Sequence, residues 1–172
     1  MPDVTSAMNE AAAAARIDVA TFLELVALYQ AYASALDARQ YDRWPEFFID
    51  TCVYRLQPRE NHERGFPLAT LSFTSKGMLK DRVYGIKETL FHDPYYQRHV
   101  VGSPVIRSAA PDRIECEANY AVFRTKLSDT STVFNVGRYI DVVVRAPGGL
   151  KFASRQCIYY SEMIPNSIIY PL

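Results

Sequence analysis

Three histidines, three cysteines and seven glycines in 172 residues leave this chain short of the side chains from which most catalytic centres are built. The histidines are His62, His92 and His99. His92 and His99 have a spacing that would share a helix face, but Pro94 lies between them and breaks that geometry. No histidine stands within three residues of Cys52, Cys116 or Cys157, so paired Cys–His iron–sulfur ligation is excluded. An odd cysteine count without a C-x-x-C pair also argues against a disulfide framework or a zinc knuckle. The three thiols are expected to be small core residues in a reduced, cytosolic protein. The glycines form neither G-x-G-x-x-G nor G-x-x-x-x-G-K-[ST], and no G-x-S-x-G elbow is present. Nineteen Lys+Arg balance nineteen Asp+Glu, which removes the basic footprint that nucleic-acid binding demands. No apolar run of the length that spans a bilayer is evident, and the start of the sequence lacks the basic-then-apolar pattern of a secretory signal.

What is present is apolar and aromatic. The chain is 49% hydrophobic and carries twelve Tyr, nine Phe and one Trp. That load suits one domain with a large core, predicted to span 18–172 behind a flexible N-terminal arm at 1–17. Phe22, Leu25, Val26, Tyr29, Ala33 and Leu36 recur at helical steps after a capping candidate, Asp18, with Thr21 as a second. A second short helix is predicted through Tyr41, Trp44 and Phe47-Phe48, with Pro45 in its first turn, followed by a strand at Cys52–Gln57. Pro58–Pro67 reads as a loop, and Ser75 as the cap of a helix through Met78, Leu79, Val83, Ile86 and Leu90.

Four long strand-like runs then follow: Tyr96–Ser108, Arg113–Leu127, Thr132–Ala146 and Leu150–Met163. Ile114, Cys116, Ala118, Tyr120 and Val122 alternate, as do Phe134, Val136, Ile140, Val142 and Val144. Short turns between them imply antiparallel pairing, and their length requires bulges or bends, with Gly102 and Gly137 as the expected points. Helices before a meander predict an α+β cone: N-terminal helices on the concave face of a strongly curved antiparallel sheet.

Such a cone could enclose a pocket lined by Tyr29, Tyr32, Asp37, Tyr54, His99 and Tyr120, where burial would bring a carboxylate or imidazole towards neutrality for proton transfer. The competing reading is an aromatic core with bonded hydroxyls and a satisfied His99. Of the carboxylates, Asp37 and Asp141 could serve an isomerase arrangement, although nothing local supports either.

Particular residues carry a family resemblance across 18–172. Leu36-Asp37 with Trp44 and Phe47-Phe48 before the Cys52–Gln57 strand resembles the nuclear-transport-factor-2-like (NTF2-like, cystatin-like), SnoaL-like superfamily. Glu60-Asn61-His62-Glu63, Met78-Leu79-Lys80-Asp81-Arg82, Tyr96-Gln97-Arg98-His99-Val100 and the ending Asn166 to Leu172 narrow it. Together these resemble the small (β) subunit of bacterial aromatic-ring-hydroxylating oxygenases, in the branch acting on aromatic carboxylates such as salicylate, anthranilate or terephthalate. The resemblance implies a chain with no catalytic, cofactor-binding or metal-binding residue of its own. It implies a large (α) subunit carrying a Rieske iron–sulfur cluster and non-heme iron, NADH supplied through a reductase, and an α3β3 hexamer with β–β trimer contacts. Contact surface is expected from Tyr159, Tyr160 and Tyr170, with Arg98, Arg138 and Arg155 as charged anchors. The alternative is a stand-alone dehydratase or isomerase using His99, Tyr54 and Asp37, although the second histidine of the dehydratase pattern has no counterpart between Val100 and Leu172.

Overall fold

The structure is a computed structural model that describes residues 17–161, 163–164 and 167–172. Of the predicted N-terminal arm only Ile17 is among them, and it packs against the core. Helix α1 spans Val19–Asp37, and the Asp18 carboxylate accepts from the Thr21 backbone N–H at 2.8 Å, so the first capping candidate is the one used. By length and composition α1 is apolar enough to cross a bilayer, which corrects the expectation of no such run. Here it is the core helix, with Leu25, Tyr29, Tyr32 and Leu36 buried against the sheet.

The predicted second helix is a 3-10 helix over Tyr41–Phe47, and Phe48 already belongs to strand β1, Phe48–Pro58. The tighter winding accommodates Pro45 beyond a first turn, and Trp44 is buried beneath it. The stretch expected to be all loop contains a short helix α2 at Arg59–Glu63, and the three-residue strand β2, Leu71–Phe73, was not legible in the sequence. Helix α3 runs Lys76–Tyr84, capped by Ser75 as predicted, and passes into a π turn over Gly85–Thr89.

The remaining strands are β3 Tyr95–Val101, β4 Val105–Ala110, β5 Arg113–Lys126, β6 Thr132–Ala146 and β7 Gly149–Tyr159. The run expected at Tyr96–Ser108 is thus two strands, divided around Gly102 and Pro104; the Gly102 N–H closes β3 onto Asn119 O at 2.8 Å. The sheet order is β2-β1-β7-β6-β5-β3, with β4 also paired to β5. All pairs are antiparallel except β1–β7, which is parallel, so the sheet is mixed. Short turns do not set the direction of this pair, because the whole meander intervenes between its two strands.

Register shifts at Val122/Phe123 and Val142/Val143 curl the long strands around α1. They also separate the two alternating series. Ile114 to Val122 face the helix, whereas Val136, Ile140, Val142 and Val144 are half-buried on the outer face and Tyr139, Asp141 and Val143 point inward. Gly137 is needed for closeness: a Cβ there would lie 2.1 Å from Ile158 O on β7. Gly137→Ala is therefore expected to destabilise the fold by about 2 kcal/mol or more, since backbone must move to admit the methyl. Urea unfolding of that variant checks it.

Candidate functional site

The interior of the cone is organised by a guanidinium. Asp141 on β6 and Arg155 on β7 are directly paired across the sheet and face inward, and neither side chain is exposed. Arg155 donates from Nε to Asp141 Oδ1 at 3.0 Å and from Nη2 to Oδ2 at 2.7 Å, a bidentate fork. Its guanidinium carbon lies 3.9 Å from the ring centroid of Phe152, 4.1 Å from Tyr139, 4.2 Å from Tyr32 and 4.7 Å from Tyr29. Four ring faces around one cation replace part of its lost hydration. Tyr29 also donates its hydroxyl to Asp141, and its oxygen lies 3.4 Å from Cys116 Sγ.

Burial pushes the Asp141 carboxyl upward, and the Arg155 charge and hydrogen bonds pull against it. Burial likewise works against the Arg155 charge, but Asp141 more than offsets it and the guanidinium stays protonated. The pair is therefore ionic in the folded chain. The thiols around it are silent: burial pushes both Cys116 and Cys157 up to about 12.

The last residues of the chain close the cone. Leu172 is fully buried; its N–H donates to the Tyr54 hydroxyl at 3.0 Å, and its carbonyl accepts from Tyr32 at 2.8 Å. Trp44 Nε1 donates to the same Tyr32 oxygen at 3.1 Å. Arg82 on α3 donates to the carbonyls of Ile168 and Ile169, the latter at 2.6 Å. Tyr170 stacks on Tyr41 and shares a 2.7 Å hydrogen bond with His92 Nε2.

The six predicted pocket residues are thus divided rather than gathered around one chamber. Tyr29, Tyr32 and Tyr54 belong to the Arg155 cage and the Leu172 anchor. Asp37, at the end of α1, accepts from His99 N–H at 3.1 Å and meets His99 Nδ1 at 2.6 Å, which fastens strand β3 to the helix. Tyr120 stacks on Tyr139 and donates to Asn135 Oδ1 at 2.7 Å. Among the described residues no three His, Cys, Asp or Glu side chains are arranged to hold a metal ion.

Three of the expected contact residues are buried instead: Arg155 is at the centre of the core, and Tyr159 and Tyr170 are enclosed. Tyr160 and Arg98 are exposed, and Arg138 reaches Glu117 at 3.4 Å. The Asp141–Arg155 pair was missed as a unit. A charge in phase with Tyr139 and Val143 is the signal that could have flagged Asp141 as inward-facing.

Comparison with known proteins agrees with this architecture. The sequence profile described as ring hydroxylating beta subunit matches residues 31–166. The chain belongs to this β-subunit family. It is 31% identical over 155 residues to the anthranilate 1,2-dioxygenase small subunit of Burkholderia cepacia, covering 90% of this chain and 96% of that one. It is 27% identical over 150 residues to subunit beta 1 of the terminal oxygenase component of terephthalate 1,2-dioxygenase from Comamonas sp., covering 87% and 97%. Among solved structures, a chain described as the beta subunit of an aromatic-ring-hydroxylating dioxygenase from Novosphingobium aromaticivorans superposes with a TM-score of 0.79 at 32% identity, covering 89% and 98%. The fold is the NTF2-like cone of ring-hydroxylating β subunits, as the resemblance implied; the sheet departs from the predicted one in the parallel β1–β7 pair, the added β2 and the division of Tyr96–Ser108 into two strands.

Two outcomes test the core of this β subunit. Arg155→Met should cost about 3–5 kcal/mol, because it leaves Asp141 buried without its cation. Pairing it with Asp141→Leu should recover part of the loss, as read from denaturant midpoints. In a thiol titration at pH 8, Cys52, Cys116 and Cys157 should be unreactive in the native chain and all react once it is unfolded, because each is buried and its thiol is pushed above the usual range.

Proposed function

We propose that this chain is the structural small subunit of a multicomponent oxygenase that hydroxylates an aromatic carboxylate in the cytoplasm, with residues 18–172 acting as one domain. Its work is to seat and stabilise a large catalytic subunit, in an α3β3 hexamer with β–β contacts. It supplies no catalytic, cofactor-binding or metal-ligating residue. The Rieske cluster and the non-heme iron belong to the large subunit, and NADH feeds them through a reductase. Membership of the β-subunit family supports the large-subunit partner, and the anthranilate and terephthalate relatives support the substrate class.

The observation that carries the non-catalytic reading is the filling of the cone. The volume between α1 and the sheet holds the Arg155 cage, and Ile168, Tyr170 and Leu172 are buried within the same core cluster. The stand-alone dehydratase or isomerase would need His99, Tyr54 and Asp37 around one substrate. Here Tyr54 holds Leu172 while Asp37 holds His99. Co-expression with the cognate large subunit tests the proposal. The two should co-purify as a complex of about equal stoichiometry, and omitting this chain should lower the yield and thermal stability of the large subunit. A chain that remains monomeric beside that partner, and turns over a small cyclic substrate alone, would overturn it.

A further inference from the structure

Resting on the subunit reading, we infer that the large subunit docks on the outer face of the sheet where β3, β5 and β6 meet, and that it brings an apolar surface bearing at least one carboxylate. Pairing register builds this surface. Val100, Ala121 and Val136 lie in one row across the three strands, and Arg98, Phe123 and Val133 form the next. Tyr96, two residues before Arg98, extends the patch along β3. These positions alternate with the buried Tyr95, Gln97, His99, Tyr120 and Val122; on the edge strand β3, Arg98 turns back to Asp37 at 3.6 Å and Tyr96 lies beneath Arg39.

Their exposure is unusual for side chains of this kind on regular strands: 58% for Tyr96, 57% for Val100 and 60% for Val133. A contiguous apolar patch on rigid strands, rather than scattered single residues, marks an interaction surface. Beside it a groove of about 490 Å³ is lined by Asp37, Tyr96, Arg98, Phe123, Thr125 and Ser131. Tyr and Arg at the edge of an apolar depression are the residue types that dominate binding energy at interfaces.

Charge selects the partner. Arg98 is 76% exposed, and Arg39 projects from the end of α1 to lie 4.2 Å over the Tyr96 ring. The neighbouring carboxylates are already engaged: Asp37 is 6% exposed and holds His99 while Arg98 reaches it at 3.6 Å, and Asp93 pairs with Lys126. The surplus charge at this corner is cationic, with Arg39 and Arg98 beside one buried carboxylate, so an isologous pairing of two copies would set arginines against arginines. The heterologous contact of a β trimer would need a carboxylate-bearing face on the neighbouring copy. A large subunit presenting carboxylates beside apolar side chains fits instead.

The test uses the full chain, its cognate tagged large subunit, and the variants Val100→Glu and Arg98→Glu. Each variant should weaken capture by the large subunit at least tenfold while the melting temperature of the isolated chain stays within about 3 °C of wild type. Leu23→Glu, a similar change on the exposed face of α1, should leave capture unchanged. If the wild-type chain is captured and both variants bind equally well, or if Leu23→Glu weakens capture as much, the docking assignment is wrong while the subunit reading stands. Failure of the wild-type chain itself to be captured overturns the subunit reading. Variants that bind the large subunit normally but lose self-association in sedimentation equilibrium assign the surface to a second copy and overturn the inference.

Discussion

A cation sealed from bulk solvent governs the inside of this protein. Arg155 can be buried only because Asp141 neutralises it through two hydrogen bonds and four aromatic rings face it. These partners come from α1, β6 and β7, so helix and sheet must be correctly seated before the charge is satisfied. Desolvation makes such a pair poor evidence of net stability, but losing either member would be severe. The Tyr29 hydroxyl ties the helix to the same carboxylate, which makes the pair a register pin as well as a core element.

The same crowding has a functional consequence. An NTF2-like cone that keeps its interior open can hold a small molecule; this one fills it with aromatic rings, a guanidinium and residues 168–172. Arg82, Tyr54 and Tyr32 hold that last segment through its backbone, so its place depends on fixed partners and not only on apolar side chains. Val136, Ile140, Val142 and Val144 are half-buried on the outer face of β6.

Much of the architecture was legible because local rules decide it. Asp18 and Ser75 cap their helices by side-chain chemistry that needs no tertiary partner. The turns and extents of β5 and β6 follow from alternation bounded by polar turn residues. The 3-10 winding at Tyr41–Phe47, the parallel β1–β7 pair and the short strand β2 were not legible, since each depends on contacts between segments distant in sequence. The choice between a pocket and an aromatic core was left open in the sequence for the same reason. Tyr29, Tyr32, Asp37, Tyr54, His99 and Tyr120 do line the interior, but their partners are one another, Asp141, Asn135 and Leu172 rather than a ligand.

Composition and motif order by themselves determined that this chain lacks the ligand patterns for an iron–sulfur cluster or a nucleotide, and that it resembles an oxygenase β subunit with helices laid against a meander. Those conclusions rest on residue types and spacing, which short-range chemistry makes readable. Which face each strand buries was decided only in the tertiary structure, because one extra residue at Phe134 on β6 and one at Ala153 on β7 shift the alternation of those two strands by one position. Arg155, expected as a surface anchor, was thereby placed at the centre of the core, and an apolar row of β6 was turned to the outer face.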